Sequence, residues 1–418
     1  MQMNVWTISL FDPTPYDKVG DLRFIQIAKA ANRAGHNVTH FTSTFRHQSK
    51  EHRFEESTTI EENFNYTIEY IYSMGYQKNI SLERVRAHAD FAKQLMDELE
   101  KRNKPDAIFI SMPPLSSAKA VTEWGLKEDI PVFLDIIDPW PDSFIKDVPS
   151  FLKPLSRLFI RPFYKKLDQI LKNSTVITSI SNGYLDWAKA RCDDIKKTAC
   201  FYPALDLDTI QAKLKKLSET EKKDEELLRM VYVGSLGSSY DIPAIVEAAA
   251  VFDEEHPGKT EFVIAGSGPQ ADIAKEYEKK LSNLKYLGRI SDEELMRQYY
   301  LSDLGLLQHK NNLTQTVTYK LFSYLSAGLP ILNSLQSEMV EIIESNEVGM
   351  NNMNGDVEAL VANIESFLYD GEKLRRFKKN AVELTKEKGD SQKVYSELIG
   401  LLESAAAESG KLAAEDVN

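Results

Sequence analysis

Short apolar runs of strand length alternate with longer segments of helical periodicity along most of the chain. In the first half the predicted strands lie at 4–10, 37–41, 66–72, 106–110, 131–137 and 175–180. In the second half they lie at 230–233, 261–265, 285–287, 303–307 and 331–333. Strands that alternate with helices predict parallel sheets covered by helices on both faces. Each half is therefore predicted to form a doubly wound, Rossmann-like α/β domain.

The length of 418 residues is too great for one ordinary core. We expect two domains, at 1–210 and 211–390, followed by a helix and a frayed tail at 391–418. The stretch 213–226 is charged and poor in apolar residues, which predicts the connection between the domains.

Composition and charge restrict the class of protein. An apolar content of 42% and a charged content of 27% are typical of a soluble globular protein. The net charge of −12 argues against a general nucleic-acid binder. The two cysteines fit no metal or redox spacing, and the sequence shows no signal-peptide pattern. No apolar run is long enough to cross a bilayer. We therefore expect a cytoplasmic protein.

The stretch 316–330 predicts a short helix that ends at Gly328, followed by a strand. The first turn of that helix carries Thr316, Thr318 and Lys320. Free N–H groups and the helix dipole attract anions at this end, so a phosphate group is expected there. The alternative is a solvated helix cap without a ligand.

The same stretch resembles the donor-binding segment of family 4 glycosyltransferases, Pro-x-Lys-x-x-Glu-Tyr-x-x-x-Gly-x-Pro. It matches at Lys320, Tyr324, Gly328 and Pro330. The resemblance implies the GT-B arrangement, in which two Rossmann-like domains face a cleft and the last helix crosses back to the N-terminal domain. It also implies a nucleotide diphosphate sugar as donor substrate and no cofactor.

Three positions depart from the family pattern. Thr318 replaces the proline, Ser323 replaces the glutamate that binds the nucleotide ribose, and Gln315 replaces a companion glutamate. Gln315 could still hydrogen-bond sugar hydroxyls, and Ser323 could make one bond where a carboxylate would accept two. Weaker or altered donor binding is expected, and loss of catalysis is the alternative.

Two glycine turns follow predicted strands of the second half. Gly234 and Gly237 lie in one turn, where backbone N–H groups could approach a diphosphate. Gly266 opens the other, which formally fits a dinucleotide fingerprint but contains Pro269 and resembles the Ala-Gly-x-Gly-Pro turn of the family. Arg289 is a further candidate cation for the donor. A plain connection is the alternative for either turn.

Residues 135–143 follow a strand and resemble the segment Asp-x-x-Asp-x-Trp-Pro-Glu/Asp-Ser of bacterial enzymes of this family. Asp138 is the candidate that orients an acceptor hydroxyl or the sugar, so the catalytic candidates are Asp138, Lys320 and Gln315. The alternative is that Asp138 caps the next helix and Trp140 packs in the core.

Residues 43–53 form a basic loop after the second strand, which is similar to a Phe-x-His-x-x-Lys-x-x-Arg stretch of some of these enzymes. His47, Lys50 and Arg53 could bind a phosphate of the acceptor, although an exposed loop without a ligand is equally compatible. His36 and His40 lack a partner at ligand spacing, and no metal is assigned.

The segment 144–172 carries seven Lys or Arg against two Asp, a local excess of five positive charges. Its apolar residues recur on one helical face, as in basic helices that lie on anionic lipid. An ordinary surface helix is the alternative.

These observations and the resemblance predict a retaining glycosyltransferase, independent of metal, that transfers a sugar to a hydroxyl in surface polysaccharide or lipid-linked glycan synthesis. Its expected location is the cytoplasm, with possible attachment to the inner membrane face. The main alternative is a catalytically degenerate GT-B protein that serves as a binding or scaffolding partner. A sugar-nucleotide epimerase fits less well, because no matching His and carboxylate set is recognised.

Overall fold

The computed structural model describes residues 2–17, 23–63, 65–145, 153–310 and 315–410, with the backbone alone at 63 and 153–159. The chain forms two compact units. Within the described residues the first comprises 2–202 and 391–410, and the second comprises 203–390.

The described residues of the first unit form a main sheet of eight strands and a separate two-stranded ribbon, with helices between the strands. Its strands are β1 (Asn4–Ile8), β2 (Asn37–Ser43), β3 (Phe45–Arg46), β4 (Glu51–His52), β5 (Thr58–Asn63), β6 (Tyr66–Ile71), β7 (Ala107–Met112), β8 (Val132–Ile136), β9 (Val176–Ser179) and β10 (Thr198–Cys200). Its helices are α1 (Arg23–Arg33), α2 (Leu82–Leu99), α3 (Leu115–Lys127), α4 (Lys153–Asn173), α5 (Asn182–Lys189) and, at the end of the chain, α14 (Ser391–Glu408).

The main sheet of this unit has the order β10-β9-β8-β7-β1-β2-β6-β5. All neighbouring strands are parallel except β5, which runs antiparallel to β6, while β3 and β4 form a separate ribbon. Side chains such as Trp6 and Ile8 on one face pack against α2, α3, α4 and α5. On the other face Phe24 of α1 contacts Phe109, and Ala406 of α14 packs on Met3 and Val5.

The second unit is a parallel α/β unit. Its strands are β11 (Leu228–Val233), β12 (Thr260–Ala265), β13 (Leu284–Gly288), β14 (Leu304–Leu307), β15 (Ile331–Asn333) and β16 (Gly349–Asn351). Its helices are α6 (Leu207–Thr220), α7 (Ile242–Glu255), α8 (Ala271–Glu278), α9 (Asp292–Leu301), α10 (Tyr319–Ser326), α11 (Glu338–Ser345), α12 (Val357–Leu368) and α13 (Gly371–Lys388).

The strand order of the second unit, β13-β12-β11-β14-β15-β16, changes direction at β11. Helices α7, α8 and α12 cover one face of the sheet with a core of aliphatic and aromatic side chains. On the opposite face Tyr324 of α10 lies against Gly305, where any side chain would lie 2.6 Å from the tyrosine ring. A change in strand order leaves a crevice at the carboxyl ends of the strands, which is the usual ligand position in such sheets.

The predicted α/β class with parallel sheets is confirmed, and most predicted strands are present with small shifts at their ends. The prediction for 213–226 was wrong, because α6 covers 207–220 and belongs to the second unit. This helix is amphipathic with few buried residues, so its sequence looks like a linker. Within the described chain, no helix combines the length and apolar content that a bilayer span requires.

Candidate functional site

Two glycine turns meet at the carboxyl ends of β11 and β12. The Gly234 N–H donates to the Ala265 carbonyl at 2.9 Å, and the Leu236 N–H donates to the Ser267 carbonyl at 2.9 Å. The buried Leu236 side chain anchors the first turn in the core. Glycine is required here because a Cβ at Gly266 would lie 1.8 Å from the Gly234 carbonyl oxygen. The backbones of the two glycine turns are therefore in direct contact with each other.

Lys320 extends from the first turn of α10 to the Gly234 turn. Its Nζ lies 3.1 Å from the Tyr232 hydroxyl and 4.2 and 4.0 Å from the ring centroids of Tyr232 and Tyr240. A Cβ at Gly234 would come within 2.7 Å of the same Nζ. The ammonium is therefore held by two aromatic faces at the point where β11 ends.

Burial lowers the pKa of Lys320 to about 7. No carboxylate in the described chain forms an ion pair with this lysine, and the aromatic rings compensate only part of the lost hydration. A buried cation without an anionic partner favours the arrival of an anion. Such an anion would restore the charged form of the amine.

Two buried polar atoms near Lys320 also lack a partner among the described residues. The Thr318 hydroxyl makes no capping bond at the start of α10 and no other hydrogen bond. His309 Nδ1 lies 3.3 Å from the Leu307 carbonyl, which leaves Nε2 as an unpaired acceptor. Burial, and then the Lys320 ammonium, lower the pKa of His309 to about 4, so the ring is neutral. The sequence analysis did not single out His309. Its position two residues after the end of β14 was the available signal.

The other residues that were predicted to bind the nucleotide-sugar donor lie at different positions around these turns. Arg289 is exposed and its Nε donates to the Ser267 hydroxyl at 2.9 Å. The Gly237 carbonyl accepts from Gln270 at 2.5 Å, and the Thr316 carbonyl accepts from Ser337 at 2.6 Å. Ser323 donates back to the Tyr319 carbonyl of its own helix at 3.0 Å. Gln315 is partly exposed and precedes this helix.

In the first unit Asp138 follows β8 at the carboxyl edge of the sheet. One carboxylate oxygen accepts from Trp140 Nε1 at 2.9 Å and the other from the Ser143 hydroxyl at 2.6 Å. Trp140 is buried in the core, as the structural alternative for this segment expects. Asp135 is fully buried and binds both Arg23 and Thr178, so it stabilises the fold.

His47 and Lys50 lie together, but Arg53 does not join them. Lys50 Nζ is 3.2 Å from His47 Nδ1 and 4.6 Å from the centroid of the Tyr76 ring. The Arg53 guanidinium instead forms a buried ion pair with Asp17 at 2.7 Å and donates to the Ser43 carbonyl at 2.8 Å. Arg53 was predicted to bind a phosphate of the acceptor. The prediction is corrected to a structural role, because the guanidinium already donates to Asp17 and to the Ser43 carbonyl.

Arg84 was not predicted as a functional residue, since α2 looks like an ordinary charged helix in the sequence. Its guanidinium carbon lies 5.6, 5.6 and 5.0 Å from the ring centroids of Phe11, Tyr76 and Trp140. Burial is the main cause that lowers the pKa of Arg84, of Lys50 and of His47, the last to about 4. The first unit therefore has its own cluster of cations and aromatic rings, in addition to the Lys320 cluster of the second unit.

The basic segment 144–172 is described only in part. Residues 146–152, with Lys146 and Asp147, lie outside the described residues, and so do the side chains of Lys153 and Arg157. The described part of α4 buries Leu167, Ile170 and Leu171 in the core of its own unit. Its exposed basic residues are Arg161, Lys165, Lys166 and Lys172.

The second unit also carries a family match. Residues 214–384 match the family model for glycosyl transferases group 1. This range contains both glycine turns, Lys320 and the helix α10. No curated protein matches the chain by sequence.

Solved structures with the same fold extend over nearly the whole chain. Sucrose-phosphate synthase from Thermosynechococcus elongatus has a TM-score of 0.72 at 15% identity, covering 98% of this chain and 100% of that one. Anabaena HepE in complex with UDP has a TM-score of 0.66 at 12% identity, covering 97% and 100%. WaaG, a glycosyltransferase involved in lipopolysaccharide biosynthesis, has a TM-score of 0.64 at 13% identity, covering 96% and 99%. The predicted GT-B fold is thereby confirmed.

Proposed function

We propose that the protein is a retaining family 4 glycosyltransferase that transfers a sugar from a nucleotide diphosphate donor to a hydroxyl acceptor. The observation that carries this proposal is the Lys320 ammonium, buried against the Gly234 turn without an anionic partner. The position is the crevice where strand order changes, and the family match covers the same residues.

The proposed chemistry depends on the charge of the leaving group. When the bond between sugar and diphosphate breaks, negative charge develops on the diphosphate and must be stabilised by fixed donors. Lys320 would supply a cation, the start of α10 would supply N–H groups and the helix dipole, and the Gly234 turn would supply close backbone approach. The Thr318 hydroxyl is available for one further bond to the donor. With these donors the proposal requires neither a divalent metal nor a cofactor.

Other residues receive roles in the same proposal. Gln315 would hydrogen-bond the transferred sugar, and Ser323 would contact the ribose once its hydroxyl turns away from the Tyr319 carbonyl. Asp138 would orient the acceptor hydroxyl, with His47 and Lys50 as acceptor contacts. The reaction would serve surface polysaccharide or lipid-linked glycan synthesis.

The alternative function is a degenerate GT-B protein that binds partners without catalysis. The Ser323 hydrogen bond within α10 and the lost glutamate pair favour it. Incubation of the protein with nucleotide sugars and a panel of hydroxyl acceptors distinguishes the two. Release of free nucleotide diphosphate that disappears in Lys320→Ala supports the enzyme, whereas binding without turnover on every acceptor supports the scaffold.

Donor binding should be coupled to proton uptake at Lys320. The free amine has a pKa near 7 and a bound diphosphate would raise it, so at pH 8 about 0.9 proton should be taken up per donor bound. Affinity should fall about fifteen-fold between pH 7 and pH 8.5, because only the protonated lysine attracts the anion. Calorimetric titration with UDP-glucose in buffers of different ionisation enthalpy measures the proton count, and the UDP complex of HepE makes this donor the first choice.

Lys320→Arg is the matched control for that titration, since a guanidinium stays charged across this pH range. The variant should bind donor with little pH dependence between pH 7 and pH 8.5. Equal proton uptake in the variant and the parent protein would assign the coupling to another group and remove Lys320 from the donor site.

We further propose that the basic surface of α4 attaches the protein to an anionic membrane by charge alone. The buried Leu167, Ile170 and Leu171 leave no apolar face of the described helix for insertion. Co-sedimentation with vesicles rich in phosphatidylglycerol should therefore be strong at low salt and lost at high salt. Lys165→Glu with Lys166→Glu should reduce binding more than tenfold, since each cation near the surface contributes about 1 kcal/mol.

Lys127→Glu with Lys189→Glu is the control pair for the vesicle assay. Both lysines are exposed in the first unit on other helices, so this pair changes net charge equally without touching α4. If both pairs lower binding to the same extent, the effect comes from overall charge and the α4 assignment fails.

A further inference from the structure

An open cavity of about 620 Å³ lies within the second unit, among α6, α13 and the segment that joins α10 to β15. Sites for small molecules usually have volumes of about 300 to 1,000 Å³. The cavity lies at the amino edge of the sheet, because its lining residues Ser302 and Leu329 stand two residues before β14 and β15. It is therefore separate from Lys320, which lies at the carboxyl edge beside Gly234.

The charged side chains that line this cavity are all positive. They are Lys215, Lys223, Lys378 and Lys379, and in the described part of the chain no acidic residue joins them. The whole protein has a net charge of −12, so the cavity is opposite in sign to the protein as a whole. Lys379 pairs with the exposed Glu383 at 3.7 Å, a distance at which an exposed pair is weak. The cavity therefore attracts anions.

Two of the four lysines share one buried carboxylate. Asp303 Oδ1 lies 2.8 Å from Lys223 Nζ and 2.6 Å from Lys378 Nζ. Burial, and then the neighbouring Lys378 ammonium, lower the pKa of Lys223 to about 8. A single carboxylate cannot neutralise two ammonium groups, so part of their mutual repulsion remains. A second anion beside the pair would remove that repulsion.

The same pair keeps N–H donors for a second anion. An ammonium group has three N–H donors. Among the described residues Lys223 donates to Asp303 and to the Ser302 carbonyl at 2.5 Å, and Lys378 donates to Asp303. One donor of Lys223 and two donors of Lys378 are thus available to one phosphate group. Leu214 and Val382 add carbon surface to the lining, against which an organic ligand packs.

We propose that this cavity binds a small organic polyanion with two or more phosphate groups. One phosphate lies between Lys223 and Lys378, and another contacts Lys215 and Lys379 at the exposed rim. A ligand with a single phosphate uses only half of these lysines, and an uncharged sugar uses none of their charge. Because the cavity and Lys320 lie at opposite edges of the sheet, this ligand is distinct from the nucleotide-sugar donor, and the inference does not depend on the proposed transfer.

Calorimetric titration with fructose 1,6-bisphosphate measures binding without any turnover. Inorganic phosphate and fructose are the partial probes. The bisphosphate should bind about tenfold or more tightly than inorganic phosphate, and fructose should show no measurable binding, since the charge-assisted hydrogen bonds need both phosphates. Lys320→Met is titrated in parallel and should bind the bisphosphate as the parent protein does.

Variants with matched controls locate the charges that bind the ligand. Lys378→Gln should weaken the bisphosphate about tenfold or more, and Lys215→Gln at an exposed position is an independent test should Lys378→Gln fold poorly. Lys386→Gln on α13 and Lys213→Gln on α6 are the controls, because both lysines are exposed on the same helices and do not line the cavity. Both controls should bind as the parent protein does.

A second pair of variants tests the cavity itself without changing any charge. Ser218 is exposed on α6 and lines the cavity, so Ser218→Trp should fill part of it and weaken the bisphosphate about tenfold or more. Ala212 is exposed on the same helix and does not line the cavity, so Ala212→Trp should leave binding unchanged.

Four results would overturn the proposal. Equal affinities for inorganic phosphate and the bisphosphate would show that a second phosphate has no site. Equal losses in the lysine variants and their controls would assign binding to overall charge. Unchanged binding in Ser218→Trp would place the ligand outside the cavity. Loss of binding in Lys320→Met would place it in the donor site at the other edge of the sheet.

Discussion

Lys320→Met is expected to lower the rate of sugar transfer about a hundred- to a thousandfold, the usual effect of removing one donor that stabilises developing charge. The loss should appear in kcat as well as in donor affinity, since negative charge on the diphosphate increases as the glycosidic bond breaks. The measurement is steady-state release of nucleotide diphosphate with saturating acceptor. An unchanged kcat would show that Lys320 does not contact the leaving group.

The same substitution should stabilise the second unit. In the folded protein without ligand, burial lowers the pKa of this amine to about 7, so the unfolded chain binds more protons between pH 7 and its ordinary value near 10.5. Stability of the parent protein should therefore rise with pH through this window, and the full penalty of the buried charge is present below pH 7. Methionine removes the charge at similar length, which should raise stability by about 1 to 3 kcal/mol near neutral pH.

Circular dichroism and tryptophan emission distinguish a local from a general effect. Tryptophan emission follows only the first unit, because all four tryptophans belong to it. A melting temperature that rises in the dichroism signal of the whole chain but not in the tryptophan signal would place the stabilisation in the second unit, where Lys320 lies. Lys310→Met is a suitable control, since Lys310 is exposed and lies on the same side of the sheet.

Sequence patterns were sufficient to predict most strands of both sheets and the position of Lys320 in the first turn of a helix. The apolar runs predicted β1, β2, β11 and β12 because fully buried parallel strands are continuous in apolar residues. They did not predict β5, whose sequence Thr-Thr-Ile-Glu-Glu-Asn is that of an exposed edge strand. Edge strands carry polar residues and resemble loops in a single sequence.

The details of the site depend on contacts between distant residues, which no local pattern contains. The prediction that Lys320 lies at a helix start needed only spacing, whereas its two tyrosine partners are 88 and 80 residues away in the chain. The prediction for the basic loop at 43–53 grouped His47, Lys50 and Arg53. In the structure Lys50 lies beside His47, whereas Arg53 pairs with Asp17, a contact that no local pattern shows. Arg84 was missed for the same reason, because three rings from separate elements surround it.

Gly266→Ala is the second substitution with a large expected effect. The backbone at this residue has a φ of +146°, and the new methyl group would lie 1.8 Å from the Gly234 carbonyl oxygen. Backbone oxygen cannot move aside without separating the two glycine turns, so the second unit should lose about 3 kcal/mol or more of unfolding free energy. Urea unfolding followed by circular dichroism measures this loss.

Gly258→Ala separates steric overlap from backbone strain. Gly258 also has a positive φ, +72°, but a Cβ there would meet nothing within 4 Å. This control should cost only about 1 kcal/mol, the ordinary penalty of a left-handed alanine. If the two variants lose similar stability, the contact between the turns is not what requires glycine at 266. The expected result is that Gly266→Ala is much less stable than Gly258→Ala and has lost nucleotide-sugar binding, whereas Gly258→Ala still binds. That result would show that the paired turns are needed to form the donor site around Lys320.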